Sequence, residues 1–169
     1  MYATFSQKGA GTMNTVSAVL SETDVISSEE YFQRSLVLER KKTERSDRPF
    51  LLIFLDVATL LTEKSRPREI LLDSLTAALG SSTREIDVKG WYRQDKLIGI
   101  ICTDVGKGGS APVVTKIKNK LNMYFDPREV KNIKMFVIPY PDYENQFKDD
   151  SPARLIKELQ PERKGVFFS

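Results

Sequence analysis

Six consecutive apolar residues, "FLLIFL" at 50–55, stand between Pro49 and Asp56 and constrain the fold more than any other stretch. A surface helix carries its apolar residues as a stripe, and a strand with one wet face alternates them. An unbroken apolar run of strand length marks a central strand covered on both faces. The rest of the chain is read around this strand.

Residues 1–27 are rich in Ser, Thr, Gly and Ala without a clear period, which predicts a flexible N-terminal arm. Ser27 and Ser28 before "EEYF" have the form of an N-cap followed by acids, predicting a helix to about Ser46. Its first half sets Tyr31, Phe32, Leu36 and Val37 at helical spacing, whereas "ERKKTERSDR" is almost all charge, a solvated half. A second helix is expected from Pro67, with Ile70, Leu71, Leu75, Ala78 and Leu79 on one face and Gly80 as its stop. Two strands follow at about 85–92 and 97–104, in which Trp91 and Tyr92 alternate so that one packs inward and the other outward. The loop "GKGGS" leads to Ser110 as N-cap and Pro112 just inside a third helix, with Val113, Val114, Ile117, Leu121 and Tyr124 on its inner side. "IKMFVIPY" is the last strand, and 141–169 is expected to be a polar tail with a short helix after Ser151 and Pro152 and an apolar end, "GVFFS". The order after the first helix is βαββαβ, an α+β class of ferredoxin-like core. It builds a four-stranded, antiparallel-centred sheet with helices on one face. The domain is expected to span 28–140.

Composition narrows the chemistry. A chain of 169 residues, 40% hydrophobic and 29% charged, buries a core without disulfides or a structural metal. Twenty-six basic and 23 acidic residues leave a net charge of +3, too little to wrap a nucleic-acid backbone, so no nucleic-acid partner is expected. Histidine is absent, which removes His-based triads and the commonest zinc ligand. The single Cys102, among Ile100, Ile101 and Thr103, reads as a buried apolar thiol. No apolar run approaches the roughly 20 residues of a membrane helix, and the first residues lack a secretory pattern. A cytoplasmic protein without membrane insertion is expected.

The turn between the two middle strands is the unusual feature, because Arg93, Gln94, Asp95 and Lys96 stand where a tight hairpin favours Gly or Asn. "YFQRSLVLERKKTERSDRPFLLIFLDV", followed by "REIDVKGWYRQDKLIGII", resembles the GGDEF domain, the bacterial diguanylate cyclase module of nucleotide-cyclase fold. The resemblance covers about 28–140. It sets Asp56 on the family's first metal-binding Asp, and Arg93, Gln94, Asp95, Lys96 and Leu97 on the signature hairpin. In that register Arg93 and Gln94 replace the glycines that admit the nucleotide phosphates, and Lys96 replaces a carboxylate. Ala58 stands where a second acid would follow Asp56, and "LLTEKSRPRE" lacks the guanine-recognition residues. Phosphoryl transfer of this kind depends on metal clamping and positioning, so the resemblance implies a degenerate domain without catalytic residues. Asp56 and Asp95 remain as candidates for one weakly held magnesium ion, and no other cofactor is implied.

The resemblance also draws attention to Arg84 and Asp87. They form the only R-x-x-D in the chain and stand five residues before the altered signature, where the family places its inhibitory site for cyclic di-GMP. A guanidinium fork takes guanine O6 and N7 or a phosphate, and a carboxylate accepts from the guanine N–H edge. Set at the start of a strand, both side chains would project to one surface. Against this stands a purely structural reading, in which Asp87 caps the strand entry and Arg84 pairs with an acid. Arg66, Arg68 and Arg93 are candidates for a second arginine. The leading expectation is a catalytically silent regulatory module, a cyclic di-GMP receptor of the kind that governs exopolysaccharide production in some relatives. The alternative is a protein-interaction or dimerisation domain without nucleotide binding. A residual nucleotide-processing enzyme, the third reading, would need metal at Asp56 and Asp95.

Overall fold

The computed structural model describes residues 25–106 and 109–141. The arm before Val25, the tail after Pro141 with its short helix, and part of the "GKGGS" loop lie outside the described residues. The elements run α1 (Glu29–Ser46), β1 (Phe50–Asp56), α2 (Ala58–Thr62), α3 (Arg68–Gly80), β2 (Val88–Arg93), β3 (Leu97–Cys102), α4 (Ala111–Tyr124), α5 (Pro127–Val130) and β4 (Lys134–Tyr140). The four strands form one sheet in the order β2-β3-β1-β4, with every neighbouring pair antiparallel. This is the ferredoxin-like α+β arrangement expected, in which β3 and β1 take the two central places.

β1 is central because it has nothing polar to show before Asp56, and all seven of its residues are buried. Leu51, Ile53 and Leu55 point to one face, where Leu71, Leu75, Ala78 and Leu79 of α3 and Ile117 and Leu121 of α4 cover them. Phe50, Leu52 and Phe54 point to the other, where they meet Phe32 and Leu36 of α1. The helices of the βαββαβ unit, α3 and α4, thus lie on one face as expected, and α1, which precedes the unit, closes the second face. The same cover corrects the reading of Trp91 and Tyr92, which lie on opposite faces of β2 yet are each only 6% exposed.

The contact that seats α1 involves two cross-strand partners, Gly90 of β2 and Gly99 of β3. Phe32 fills the flat area they leave, so closely that a Cβ built on Gly99 would stand 2.1 Å from Phe32 Cζ, and one on Gly90 2.7 Å from Phe32 Cβ. Ser27, just ahead of the helix, forms a parallel bridge to Gly90. Its N–H donates to Lys89 O at 3.0 Å and its carbonyl accepts from Trp91 N–H at 3.0 Å, so part of the β2 edge is paired. Ser28 is the N-cap, accepting from Tyr31 N–H. Tyr31 and Val37 are exposed and take no part in the core. The charged half of α1 is not wholly solvated, because Thr43 is buried and donates to Arg48 O, and Arg40 lies over the Tyr140 ring.

Several boundaries differ from expectation. The hairpin strands are shorter than 85–92 and 97–104, beginning at Val88 and ending at Cys102. Ser110 holds the N-cap place of α4 but makes no side-chain capping bond, and Tyr124 turns outward while Phe125 enters the core. Ile70 of α3 is likewise exposed. The short α5 follows a capping box, with Asp126 accepting from the Arg128 and Glu129 amides and Glu129 accepting from Asp126 N–H.

Gly99→Ala forces the ring of Phe32 out of its place, and that ring is fully buried with its own Cβ held against Gly90. Overpacking of this kind costs about 1–3 kcal/mol, to be read as a lower denaturant midpoint. In a Phe32→Ala background the same change is expected to cost much less, because the two residues share one contact.

Candidate functional site

The charged turn and the R-x-x-D pair stand at opposite ends of the β2–β3 hairpin. At the closed end, Lys96 N–H donates to Arg93 O at 3.1 Å and Asp95 takes a left-handed φ of 61°. Aspartate tolerates that conformation better than most residues, which is why the turn closes without glycine. Its charges are bound from both sides. Gln94 N–H donates to Glu29 Oε2 at 2.9 Å, and the Arg93 guanidinium lies 3.6 Å from Glu29 Oε1, at the start of α1. Asp95 accepts from Gln94 Nε2 and forms a short ion pair with Arg68, at the start of α3. The turn is thereby tied to the first turns of two helices on opposite faces of the sheet.

Asp56 ends β1 opposite Leu97 and is buried, with Oδ1 accepting from Ala58 N–H at 3.1 Å. The two acids proposed for magnesium are thus each engaged by the protein. Among the described residues no group of three or more His, Cys, Asp or Glu side chains gathers at one point. A cation at Asp95 would meet the Arg68 guanidinium already paired with Oδ1.

The open end of the hairpin is built differently. Arg84–Asp87 is a turn ahead of β2 and not the start of a strand, a correction to the expected placement. Asp87 N–H donates to Arg84 O at 3.1 Å, and Asp87 Oδ2 accepts from Arg84 N–H at 2.7 Å. The carboxylate closes the turn on itself, as Asp side chains do in Asx-type turns. It is only 7% exposed, and its second oxygen, Oδ1, is the one buried side-chain N or O without a hydrogen-bond partner among the described residues. Burial pushes the Asp87 pKa up, and the Arg84 amide, the charges of Arg84 and Lys89 and, least of all, the Thr103 amide only partly oppose it. The Arg84 side chain is exposed and makes no hydrogen bond or ion pair among the described residues. The structural reading is met in its first half, since Asp87 caps the strand entry, whereas among the described residues Arg84 acts on Asp87 through its charge without forming an ion pair.

These two residues form one wall of a cleft of about 140 Å³. Residues 102–106 at the end of β3 form its floor, and Gly109, Pro112 and Val113 at the start of α4 its far wall. Cys102 is buried there, and burial pushes its thiol up to about 12, which makes it an inert wall and not a nucleophile. The α4 side of the cleft carried no sequence signal beyond Gly109 and the proline inside the helix. Glu29 and Arg68, the partners of the turn, stood out as a helix-start acid and a candidate second arginine, but nothing in the sequence tied either to the turn.

The three candidate second arginines are engaged elsewhere. Arg93 and Arg68 hold the turn, and Arg66 clamps Glu129 with Nε–Oε1 and Nη2–Oε2 contacts of 2.8 Å each while lying over Phe125. None of them lines the cleft.

No family model and no curated protein matches the chain. Among solved structures, the crystal structure of a DGC protein from Thermotoga maritima aligns with a TM-score of 0.54 at 19% identity, covering 71% of this chain and 86% of that one. The likeness shows that the two chains share an α+β fold. Among the described residues no helix is long and apolar enough to cross a membrane.

Burial alone would raise the Glu129 pKa, but the Arg66 guanidinium, the Asp126 amide and the Ser65 hydroxyl together hold it below the usual glutamate range. Its stabilising contribution is full above the unfolded pKa and is lost as pH falls through the lowered folded value. Glu129→Gln is expected to lower stability at neutral pH by about 1–3 kcal/mol, since Arg66 stays partly solvated. Thermal melts at stepped pH should show the variant losing less than the parent on acidification.

Proposed function

We propose that this chain is a non-catalytic GGDEF-like regulatory module that binds cyclic di-GMP through Arg84 and Asp87. The observation that carries the reading is that one cleft brings together the exposed Arg84 guanidinium, which makes no hydrogen bond or ion pair among the described residues, and a buried Asp87 oxygen that has no hydrogen-bond partner among them. Arg84 suits a phosphate or the guanine O6 and N7 atoms, and Asp87 Oδ1 suits a guanine N–H. Control of exopolysaccharide production belongs to this reading as the precedent among such receptors.

The absence of cyclase activity is supported at the other end of the hairpin. Arg93 and Gln94 fill the places where the family's glycines admit phosphates, and both are held by Glu29. Asp95 is neutralised by Arg68 and Asp56 is satisfied by a backbone amide. Magnesium, were it to bind, would rest on Asp56 and Asp95 and supply charge neutralisation only. The expected outcome with GTP and magnesium is no turnover.

One observation favours a second reading, a dimerisation surface. Tyr31 and Leu38, two helical turns apart on α1, are each 58% exposed. A stable dimer in sedimentation that is indifferent to nucleotide would favour it.

Calorimetric titration of the full chain with cyclic di-GMP tests the receptor reading. Micromolar binding is expected, weakened about ten- to a hundredfold by Arg84→Ala and by Asp87→Asn. Asparagine is the better control at 87, because alanine would also remove the acceptor of the Arg84 amide. No heat near a millimolar would overturn the proposal. Asp87 faces Arg84, Lys89, Cys102 and Asp104, and its carboxylate must be ionised to accept freely. Affinity should therefore fall on acidification, beginning above the ordinary aspartate range.

A further inference from the structure

One end of the α3 and α4 layer carries an apolar patch. Arg66, just ahead of α3, donates to Tyr124 O at 3.4 Å and lies over the Phe125 ring, so the first turn of α3 and the last turn of α4 stand together. Three large apolar side chains are exposed at that end, Ile70 of α3 and Met123 and Tyr124 of α4. Met123, 71% exposed, is the most exposed large apolar side chain among the described residues. A single such residue on a surface is ordinary, whereas a group of them marks an interaction surface.

The charge around the patch is one-sided. Residues 111–134 hold six basic and two acidic residues, a net +4 where the whole chain carries +3. Both acids are engaged within the fold, because Asp126 caps α5 and Glu129 is buried against Arg66. The cations are not. Among the described residues the side chains of Lys116, Lys120, Arg128 and Lys131 make no hydrogen bond or ion pair. Lys116, Lys120 and Met123 follow at i, i+4 and i+7 along one flank of α4, and Arg128 and Lys131 continue the charge beyond it. On α3 the exposed acids Glu69 and Asp73 stand near Ile70, so the positive side of the patch is that of α4 and α5.

Apolar tips among long cations equip a surface to lie on anionic lipid. The tips enter the headgroup layer while ammonium and guanidinium groups stay with the phosphates. Side chains that no neighbour holds in place can follow mobile headgroups, and a bilayer requires no shape-matched pocket. We propose that the α4 and α5 side of the domain, with Met123 at its centre, is a docking surface for an anionic phospholipid bilayer. The chain binds there peripherally, by charge complementarity and one shallow apolar contact. The surface is separate from the Arg84–Asp87 cleft, and the proposal does not depend on the nucleotide reading.

Flotation of the full chain with vesicles tests this. Binding is expected to mixed phosphatidylcholine and phosphatidylglycerol vesicles and not to phosphatidylcholine alone, and it should weaken as salt is raised. Lys116→Gln and Lys120→Gln are each expected to lower the partition about fivefold. Lys118→Gln, which removes the same charge from the opposite flank of α4, should have a much smaller effect. Met123→Ser should lower the partition while leaving its salt dependence unchanged, and at so exposed a residue the melting temperature should hold. No binding to phosphatidylglycerol vesicles at low salt, or an equal loss from Lys118→Gln, would overturn the proposal. Retention of duplex DNA in place of vesicles would overturn it too, by assigning the cations to a nucleic acid.

Discussion

The seat of Phe32 on Gly90 and Gly99 is the contact on which the rest of the architecture depends. A sheet with apolar residues on both faces needs two covers, and among the described residues α1 supplies the second. That helix brings just Phe32 and Leu36 as buried apolar residues, too few to hold it by area alone. Two glycines facing each other across β2 and β3 let one aromatic ring approach the backbone, and the Ser27 bridge to Gly90 fixes the entry of the helix at the same point. A few close contacts thus do what a wide apolar stripe does on α3.

The placing of α1 in turn explains the charged turn. Once Phe32 is seated, Glu29 lies one helical turn earlier, at the level of Arg93 and Gln94. From the other face Arg68 reaches Asp95. Neither ion pair is worth much by itself, since both are substantially exposed. Their effect is positional, holding a glycine-free turn between two helix starts. Arg93, Gln94 and Asp95, whatever else they do, therefore have structural work of their own.

The legible parts of the fold are those in which one element's pattern is self-sufficient. The run 50–55 announced a doubly covered strand, and the spacing of Leu71, Leu75 and Leu79 announced a helix. The face that α1 covers was not legible, because glycines in a strand mark a flat spot without naming what fills it. Short α5 was missed although "DPRE" carries the acid-to-glutamate spacing of a capping box. At the site, Arg84 and Asp87 were legible only through their offset from the turn, and the turn they occupy was misread as strand. The far wall of the cleft comes from α4, roughly 25 residues on, and such a meeting is a property of topology that local pattern does not contain.

Asp87 separates the structural and functional readings of the open end. A residue needed only to close the turn must supply one acceptor for the Arg84 amide, and Oδ2 does this at 2.7 Å. The second oxygen adds nothing to that role, and burying an unpaired polar atom costs about 1–3 kcal/mol. Serine or asparagine would make the same turn without a buried charge. Lys89 and Arg84 soften the cost electrostatically, yet neither bonds Oδ1, and the carboxyl remains harder to ionise than in water. Closing the turn thus accounts for Oδ2 alone. The receptor proposed above would bring a donor from the cleft to Oδ1, beside the exposed Arg84 guanidinium.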